Sequence, residues 1–89
     1  PDMHVNIHTA AVPDGTSTIS NDALALVRGN FNPSKLEAVD RVKALAAALI
    51  SECEAVRDAR GAGAREAAVA ITQIQGACMF AVASITAET

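Results

Sequence analysis

The side chains in this 89-residue sequence that could carry out chemistry are few, beginning with two histidines and two cysteines. His4 and His8 lie in a segment predicted to be extended, where four residues span about 13 Å. No acidic or cysteine side chain is placed to complete a metal site with them. Cys53 and Cys78 fall on apolar helical stripes, where cysteine acts as a small core residue. We therefore predict no metal, no cofactor and no catalytic residue, and expect that the chain is not an enzyme.

The basic residues form a second group, and they are unevenly distributed. All seven lysines and arginines lie between positions 28 and 65. The net charge is −3, which argues against binding to DNA or RNA polymers, because such binding needs a positive surface that displaces counterions from phosphates. A local cluster of cations can still hold a small anion through charge-assisted hydrogen bonds.

Five of the basic residues fall at the two ends of a predicted helix pair. They are Arg28 and Lys35 at the base and Arg57, Arg60 and Arg65 near the tip. In a head-to-tail oligomer the base of one copy faces the tip of the next. The cations, the Ser34 hydroxyl and the N–H groups of a first helical turn can then surround an anion, and Phe31 can stack on a base. The alternative is that both ends are solvated surfaces that keep the oligomer soluble.

The N-terminal part of the chain, residues 1–19, is predicted to be an extended arm. Positions 4–8 alternate polar and apolar side chains like a strand, and Pro13-Asp14-Gly15 indicates a turn. The pattern shows no second strand for pairing, so we expect the arm to lie on another surface. Residues 20–28 follow as a short helix, which Asn21 and Asp22 cap and Gly29 ends.

Two long helices are predicted from the spacing of apolar residues. Ser34 and Glu37 have the spacing of a capping box, and apolar positions then recur every three or four residues through a helix over 34–59. Gly61 and Gly63 indicate a loop, and a second helix of the same periodicity covers 64–87. Because a short loop makes the helices antiparallel neighbours, the predicted fold class is all-α. It is a single domain, 1–89, with a short N-terminal helix and a long antiparallel helical hairpin.

The second long helix is more apolar than a lone hairpin can bury. The 21 residues from Ala67 to Ala87 carry no charge, which is long enough to span a membrane. Gln73, Gln75 and acidic residues at both ends instead favour a buried helix of a soluble protein. Apolar residues make up 51% of the chain, and exposing such surface costs about 25 cal/mol per Å². We therefore expect a homo-oligomer and no membrane partner.

Several segments of the sequence resemble a known family. Asn32-Pro33-Ser34 followed by Val39-Asp40-Arg41-Val42-Lys43, with Ile71-Thr72-Gln73-Ile74 and Ala77-Cys78-Met79-Phe80-Ala81-Val82, is similar to small phage helical-hairpin proteins that act as anti-CBASS and Thoeris anti-defence sponges. The resemblance covers about residues 31–87. It implies a homohexamer in the cytoplasm of the host bacterium. Such a hexamer sequesters cyclic di- or trinucleotides, or cyclic ADP-ribose-type signals, without cleaving them.

The resemblance also implies which residues hold the ligand. In the family, cations and hydroxyls in pockets between protomers bind phosphates, and an aromatic residue stacks on a base. The candidate ligand-binding positions in this sequence are Arg28, Phe31, Asn32, Ser34, Lys35, Arg60 and Arg65. The chain has no tyrosine or tryptophan, so Phe31 is the candidate for the stacking role.

A second hypothesis is a non-catalytic structural or protein-interaction oligomer of a phage, whose apolar second helix docks on another chain. The two hypotheses differ in the placement of the cations. A sponge needs its basic residues, from different chains, to converge around a cavity, where like charges repel unless an anion lies between them. A purely structural oligomer leaves each of them separately in solvent.

Overall fold

The computed structural model describes residues 3–88, and most of this range is helical. Two short strands come first and three helices follow. In chain order the elements are β1 (His4–Ile7), β2 (Gly15–Thr18), α1 (Asn21–Leu26), α2 (Glu37–Asp58) and α3 (Ala64–Thr86). The helices α2 and α3 form the long antiparallel pair that the apolar periodicity predicts, so the helical part of the expected fold is confirmed.

The start of α2 differs from the expected capping box. The helix begins at Glu37, its N-cap is Leu36, and no side chain caps it. The Ser34 hydroxyl instead donates to Asn32 Oδ1 (2.6 Å) and accepts from the Leu36 N–H (3.3 Å). The capping-box prediction is wrong because Lys35 has a left-handed backbone (φ 59°), which separates Ser34 from the first helical turn.

The expectation of an all-α fold with an unpaired N-terminal arm is also wrong. β1 and β2 form an antiparallel hairpin in which Val5 lies opposite Ser17 and Ile7 opposite Gly15. The sequence Gly-Thr-Ser-Thr of β2 lacks the apolar alternation that marks a half-buried strand. Its buried position is taken by Ser17, whose hydroxyl donates to Glu52 on α2 (2.7 Å). The first two residues of the predicted arm lie outside the described residues.

The core lies where α1 and α3 pack on α2, and it is built from small and medium side chains. Ala23, Ala47 and Ile50 have no exposed surface, and alanine at the first two positions lets the backbones of α1 and α2 approach closely. The buried members of the cluster are Ile19, Ala23, Val27, Ala47, Ala48, Ile50, Ile71 and Cys78. Burial raises the pKa of the Cys78 thiol, and the nearby Lys43 ammonium acts in the opposite direction.

A polar contact fixes the start of α1 to α2. The Ser20 hydroxyl donates to the buried carboxylate of Glu54 (2.6 Å) and accepts from the Ala23 N–H (3.0 Å), and the Ser20 N–H donates to Ser51 Oγ (3.0 Å). Ser20 is therefore both the N-cap of α1 and the donor that satisfies Glu54. Together with the Ser17–Glu52 bond, this contact holds the N-terminal segment on the helix pair.

Replacing Ser20 with alanine is expected to lower the free energy of unfolding by about 1–3 kcal/mol. The substitution removes the N-cap of α1, and it also removes the hydroxyl that donates a hydrogen bond to the buried carboxylate of Glu54. Urea denaturation at fixed protein concentration measures this loss. Ser84→Ala is the matched control, since that hydroxyl is exposed and bonds only to the Ala81 carbonyl, so it is expected to change stability by less than about 0.5 kcal/mol. Equal losses in the two variants would contradict the role assigned to Ser20.

Much of α3 faces solvent in the single chain. The exposed fraction of Phe80 is 80% and that of Met79 is 73%. The expectation that this helix is buried therefore does not hold within one copy. By its length and composition alone, α3 could cross a membrane. The core helices of soluble proteins also meet these two criteria.

Candidate functional site

The segment between α1 and α2 is anchored by Lys43, a buried cation on α2. Its exposed fraction is 7%. Its ammonium group donates to the carbonyl oxygen of Arg28 (2.9 Å) and to that of Phe31, and it lies 5.6 Å from the centroid of the Phe31 ring. Among the described residues, no carboxylate lies within ion-pair distance of it. Lys43 thus fixes the backbone and the ring of two predicted ligand-binding residues.

Lys43 is not among the ligand-binding residues predicted from the sequence. A signal was available: Lys43 follows Val39 by four residues and precedes Ala47 by four, and both of these residues are buried. Residues at this spacing share one helix face. A lysine on the buried stripe of an amphipathic helix needs partners for its ammonium group, and here they are the Arg28 and Phe31 carbonyls in the segment that follows α1.

Asn32 organises the rest of this segment. Its amide nitrogen donates to the Leu36 carbonyl (3.0 Å) and to Asp40 Oδ1 (3.0 Å). Its amide oxygen accepts from the Ser34 hydroxyl (2.6 Å) and the Lys35 N–H (3.1 Å). Asn32 and Ser34 therefore shape the loop and set the position of Lys35.

Two clefts open beside this segment. One, of about 580 Å³, is lined by Asn32, Lys35, Asp40 and Lys43 among others. The other, of about 460 Å³, is lined by Arg28 and Phe31 together with residues of α1. The exposed fraction of Phe31 is 61%, so much of this residue is open to a partner although Lys43 lies over its ring. A ring, two exposed cations and a buried one thus come together at the base of the hairpin.

The remaining two predicted residues, Arg60 and Arg65, lie at the tip. They line a cleft of about 430 Å³ together with Arg57, Asp58 and Ala64. Asp58 bonds to Arg57 (2.9 Å) and raises the pKa of that guanidinium group. No acidic group of residues 3–88 is paired with Arg60 or Arg65. The first backbone N–H groups of α3 also lie here, where a helix N-terminus favours anions.

One chain does not bring the two groups of predicted residues together. The 22 residues of α2 correspond to about 33 Å at 1.5 Å per residue, and they separate the base from the tip. Arg28, Phe31, Asn32, Ser34 and Lys35 share the base, whereas Arg60 and Arg65 share the tip. A site that uses both groups requires a second copy.

Three of the predicted cations share an uncommon backbone conformation. Arg28, Lys35 and Arg60 have φ values of 52°, 59° and 56°, and in the described chain no other residue has a positive φ. A side chain in this region costs about 1–2 kcal/mol relative to the right-handed one. Arg28 is the second residue after the end of α1. Its N–H bonds to the Ala25 carbonyl, and the Gly29 N–H bonds to the Leu24 carbonyl. Helices that end in this way usually have glycine at the position that Arg28 occupies. Such strain is concentrated at functional sites.

Arg28→Gly is expected to raise the free energy of unfolding by up to about 1 kcal/mol, because glycine removes the strain but loses about 0.5–1 kcal/mol of chain entropy. Arg41→Gly, the same substitution inside α2, is expected to lower it by about 1 kcal/mol. Thermal and urea unfolding of the two variants side by side provide the measurement. A loss at Arg28 as large as that at Arg41 would mean that the Arg28 side chain stabilises the fold.

The fold and the site together define a class of protein: a small helical hairpin with exposed basic residues at both ends and an aromatic ring beside one of them. A profile of the family described as "Acb2/Tad1, hairpin domain" matches residues 22–86, which contain α2, α3 and nearly all of α1. The chain belongs to this family, the anti-CBASS and anti-Thoeris sponges, and the resemblance seen in the sequence is confirmed. No curated protein and no solved structure gives a significant match. Membership implies, at the level of the family, anti-defence binding of cyclic nucleotides.

Proposed function

We propose that this protein is a phage sponge that binds cyclic nucleotide immune signals in the cytoplasm of the host bacterium and sequesters them without cleavage. The observation that carries the proposal is that four of the cations at the ends of the hairpin have no ion-pair partner in the described part of the chain, which supports binding of an anion. Among the described residues, no carboxylate neutralises Arg28, Lys35, Arg60 or Arg65. Sequestration needs affinity and stoichiometry only, so the effector of the immune system receives no ligand.

The chemistry of the ends fits a cyclic di- or trinucleotide or a cyclic ADP-ribose-type molecule. These ligands combine phosphates with flat bases. Lys35 and Arg28 supply cations for the phosphates, since hydrogen bonds between ions are stronger than neutral ones. Phe31 supplies an open face for a base, and base–aromatic stacking contributes about 1–3 kcal/mol.

The proposal includes a homo-oligomer, and specifically the hexamer that the resemblance implies. The distance between the base and the tip of the hairpin supports association of several copies. The two groups of cations can share one ligand only when the base of one copy meets the tip of another. The exposed apolar side chains of α3, such as Met79 and Phe80, supply surface for that contact. Burial of apolar surface contributes about 25 cal/mol per Å² to such association.

Native mass spectrometry of the purified protein tests the proposal, with and without cyclic di- and trinucleotides and cyclic ADP-ribose isomers. We expect an oligomer that gains the intact mass of at least one class of ligand, and ligand that is recovered unhydrolysed after release. An oligomer that binds none of these molecules would favour the structural or protein-interaction function. Recovery of hydrolysed ligand would contradict sequestration, and a monomer at all concentrations would contradict the composite site.

A further inference from the structure

The larger cleft at the base of the hairpin contains an acidic side chain among its cations. Asp40 lines this cleft of about 580 Å³ together with Lys35 and Lys43. Among residues 3–88, neither lysine forms an ion pair with Asp40. A carboxylate in this place repels the phosphates that the lysines attract. A cleft that binds only phosphate gains nothing from Asp40, so the carboxylate points to a second recognition task.

The carboxylate of Asp40 is held in place and still has capacity to accept hydrogen bonds. Its Oδ1 accepts from the Asn32 amide nitrogen (3.0 Å), which ties it to the loop before α2. In the described part of the chain no group donates to its Oδ2, and the residue is exposed. A carboxylate offers about four lone-pair sites on its two oxygens. Asp40 can therefore accept two further hydrogen bonds, side by side, from a ligand.

The remaining walls of the cleft suit a flat base. Leu24 of α1, Ala44 of α2 and Met3, which precedes β1, line it with apolar atoms. Its volume of about 580 Å³ lies within the range of small-ligand pockets, about 300–1,000 Å³. Proteins recognise an unstacked base by contact with its apolar face and by hydrogen bonds to its edge. The cleft offers apolar surface for the face of a base and Asp40 for its edge.

The common bases differ in what their edges offer to a carboxylate. Guanine carries two adjacent donors, N1–H and N2–H, which match the two carboxylate oxygens as the fork of an arginine does. Adenine and cytosine each carry one donor beside a ring nitrogen that accepts, and uracil carries one donor between two carbonyl groups. The lone pairs of these acceptors repel a carboxylate. Guanine is therefore the base whose edge satisfies Asp40 with two hydrogen bonds.

We propose that Asp40 selects guanine, so that the ligand of this protein is a guanine-containing cyclic di- or trinucleotide. The carboxylate accepts from N1–H and N2–H of the base, and Lys35 in the same cleft binds a phosphate. Guanine selection rests on the proposed function, because it needs a cyclic nucleotide in the cleft. It also narrows the choice of ligand, since a cyclic ADP-ribose-type molecule carries adenine and leaves Asp40 without its two donors.

Isothermal titration with cyclic di-GMP and cyclic di-AMP tests the selection, because these probes share sugars and phosphates and differ only in their bases. We expect the wild type to bind cyclic di-GMP about 10- to 100-fold more tightly. Cyclic di-inosine monophosphate, whose base keeps N1–H and lacks the N2 amino group, is expected to have an affinity between the two. Cyclic tri-AMP and the same ring with one guanine make the corresponding comparison for trinucleotides.

Asp40→Asn tests which residue reads the base. Asparagine keeps an oxygen that accepts from Asn32, but it places an amide donor against the donors of guanine. In this variant we expect the preference for cyclic di-GMP over cyclic di-AMP to fall below about threefold. If Asp40 only supported the loop, its substitution would change both affinities by the same factor and would leave their ratio unchanged.

Glu37→Gln is the matched control for the loss of charge. Glu37 is also an exposed acidic residue in the first turn of α2, and it does not line the cleft. Its substitution removes the same charge from the same helical turn, so it is expected to shift the affinities for both probes equally. The preference for guanine is expected to stay at the wild-type value. Circular dichroism checks that both variants are folded.

The outcomes distinguish this proposal from the proposed function. Three results would overturn guanine selection while sequestration of a cyclic nucleotide stands. They are a wild type that binds adenine probes as tightly as guanine probes, a preference that folded Asp40→Asn retains, and binding of cyclic ADP-ribose isomers alone. Equal affinities for the inosine and guanine probes would exclude the second hydrogen bond. Failure of the wild type to bind any cyclic nucleotide would overturn both proposals.

Discussion

Replacing Lys43 with methionine is expected to lower the free energy of unfolding by about 1–3 kcal/mol and to weaken binding of a cyclic nucleotide at least tenfold. The ammonium group satisfies the Arg28 and Phe31 carbonyls from inside the fold, and methionine fills a similar volume without a donor. The segment that carries Arg28 and Phe31 then loses its anchor. Urea denaturation and isothermal titration of the folded variant measure the two effects.

Lys43→Arg is the control for this substitution. It keeps a positive charge near Phe31, but its planar group cannot reproduce the geometry of a lysine ammonium between two carbonyls. We expect an affinity between those of the wild type and the methionine variant. Unchanged affinity in folded Lys43→Met would show that the anchoring of this segment does not matter for ligand binding, although the stability loss would remain.

Lys35→Ala and Arg65→Ala are each expected to weaken ligand binding by about 10- to 100-fold, the equivalent of about 1.5–3 kcal/mol for a hydrogen bond to a charged group. Both side chains are exposed and make no ion pair in the described chain, so the mass of the oligomer is expected to stay the same. Titration of each variant, followed by native mass spectrometry, measures affinity and stoichiometry together.

The stoichiometry tells a composite site from two separate ones. Lys35 lies at the base of the hairpin and Arg65 at its tip. If ligands bind where the base of one copy meets the tip of another, each substitution weakens every binding event. If the base and the tip bind ligands separately, each substitution removes only one class of event. Unchanged titration curves for both variants would exclude Lys35 and Arg65 from the site.

The helices were predictable from sequence because their cause is local. Apolar residues at three- and four-residue spacing give α2 and α3, and Gly61 and Gly63 mark the loop between them. β2 was not predictable in this way, because its inward side chain is Ser17, whose burial depends on Glu52, 35 residues away in the chain. A pattern of apolar residues cannot reveal a strand that is held by a polar bond to a distant helix.

The candidate site was predictable in its residue types and less so in its geometry. The basic residues and Phe31 could be singled out by charge and by rarity in the sequence. The separate roles of Asn32 and Ser34 could not, because they depend on a loop in which Lys35 is left-handed. Lys43 could have been recognised from its position between Val39 and Ala47, since an amphipathic helix rarely places a lysine there without partners.

The bonds that hold the N-terminal segment also bear on the order of folding. Ser17 bonds to Glu52, which lies 35 positions later in the chain, and Ser20 bonds to Glu54, which lies 34 positions later. In contrast, α2 and α3 meet across a short loop. Contacts with large sequence separation require closure of long loops and form slowly, while local contacts between helices form early. The helix pair is therefore expected to form first and to serve as the surface on which β1 and β2 assemble. Because hydrogen bonds from Ser17 and Ser20 hold this segment on α2, we also expect it to open before the helix pair under native conditions.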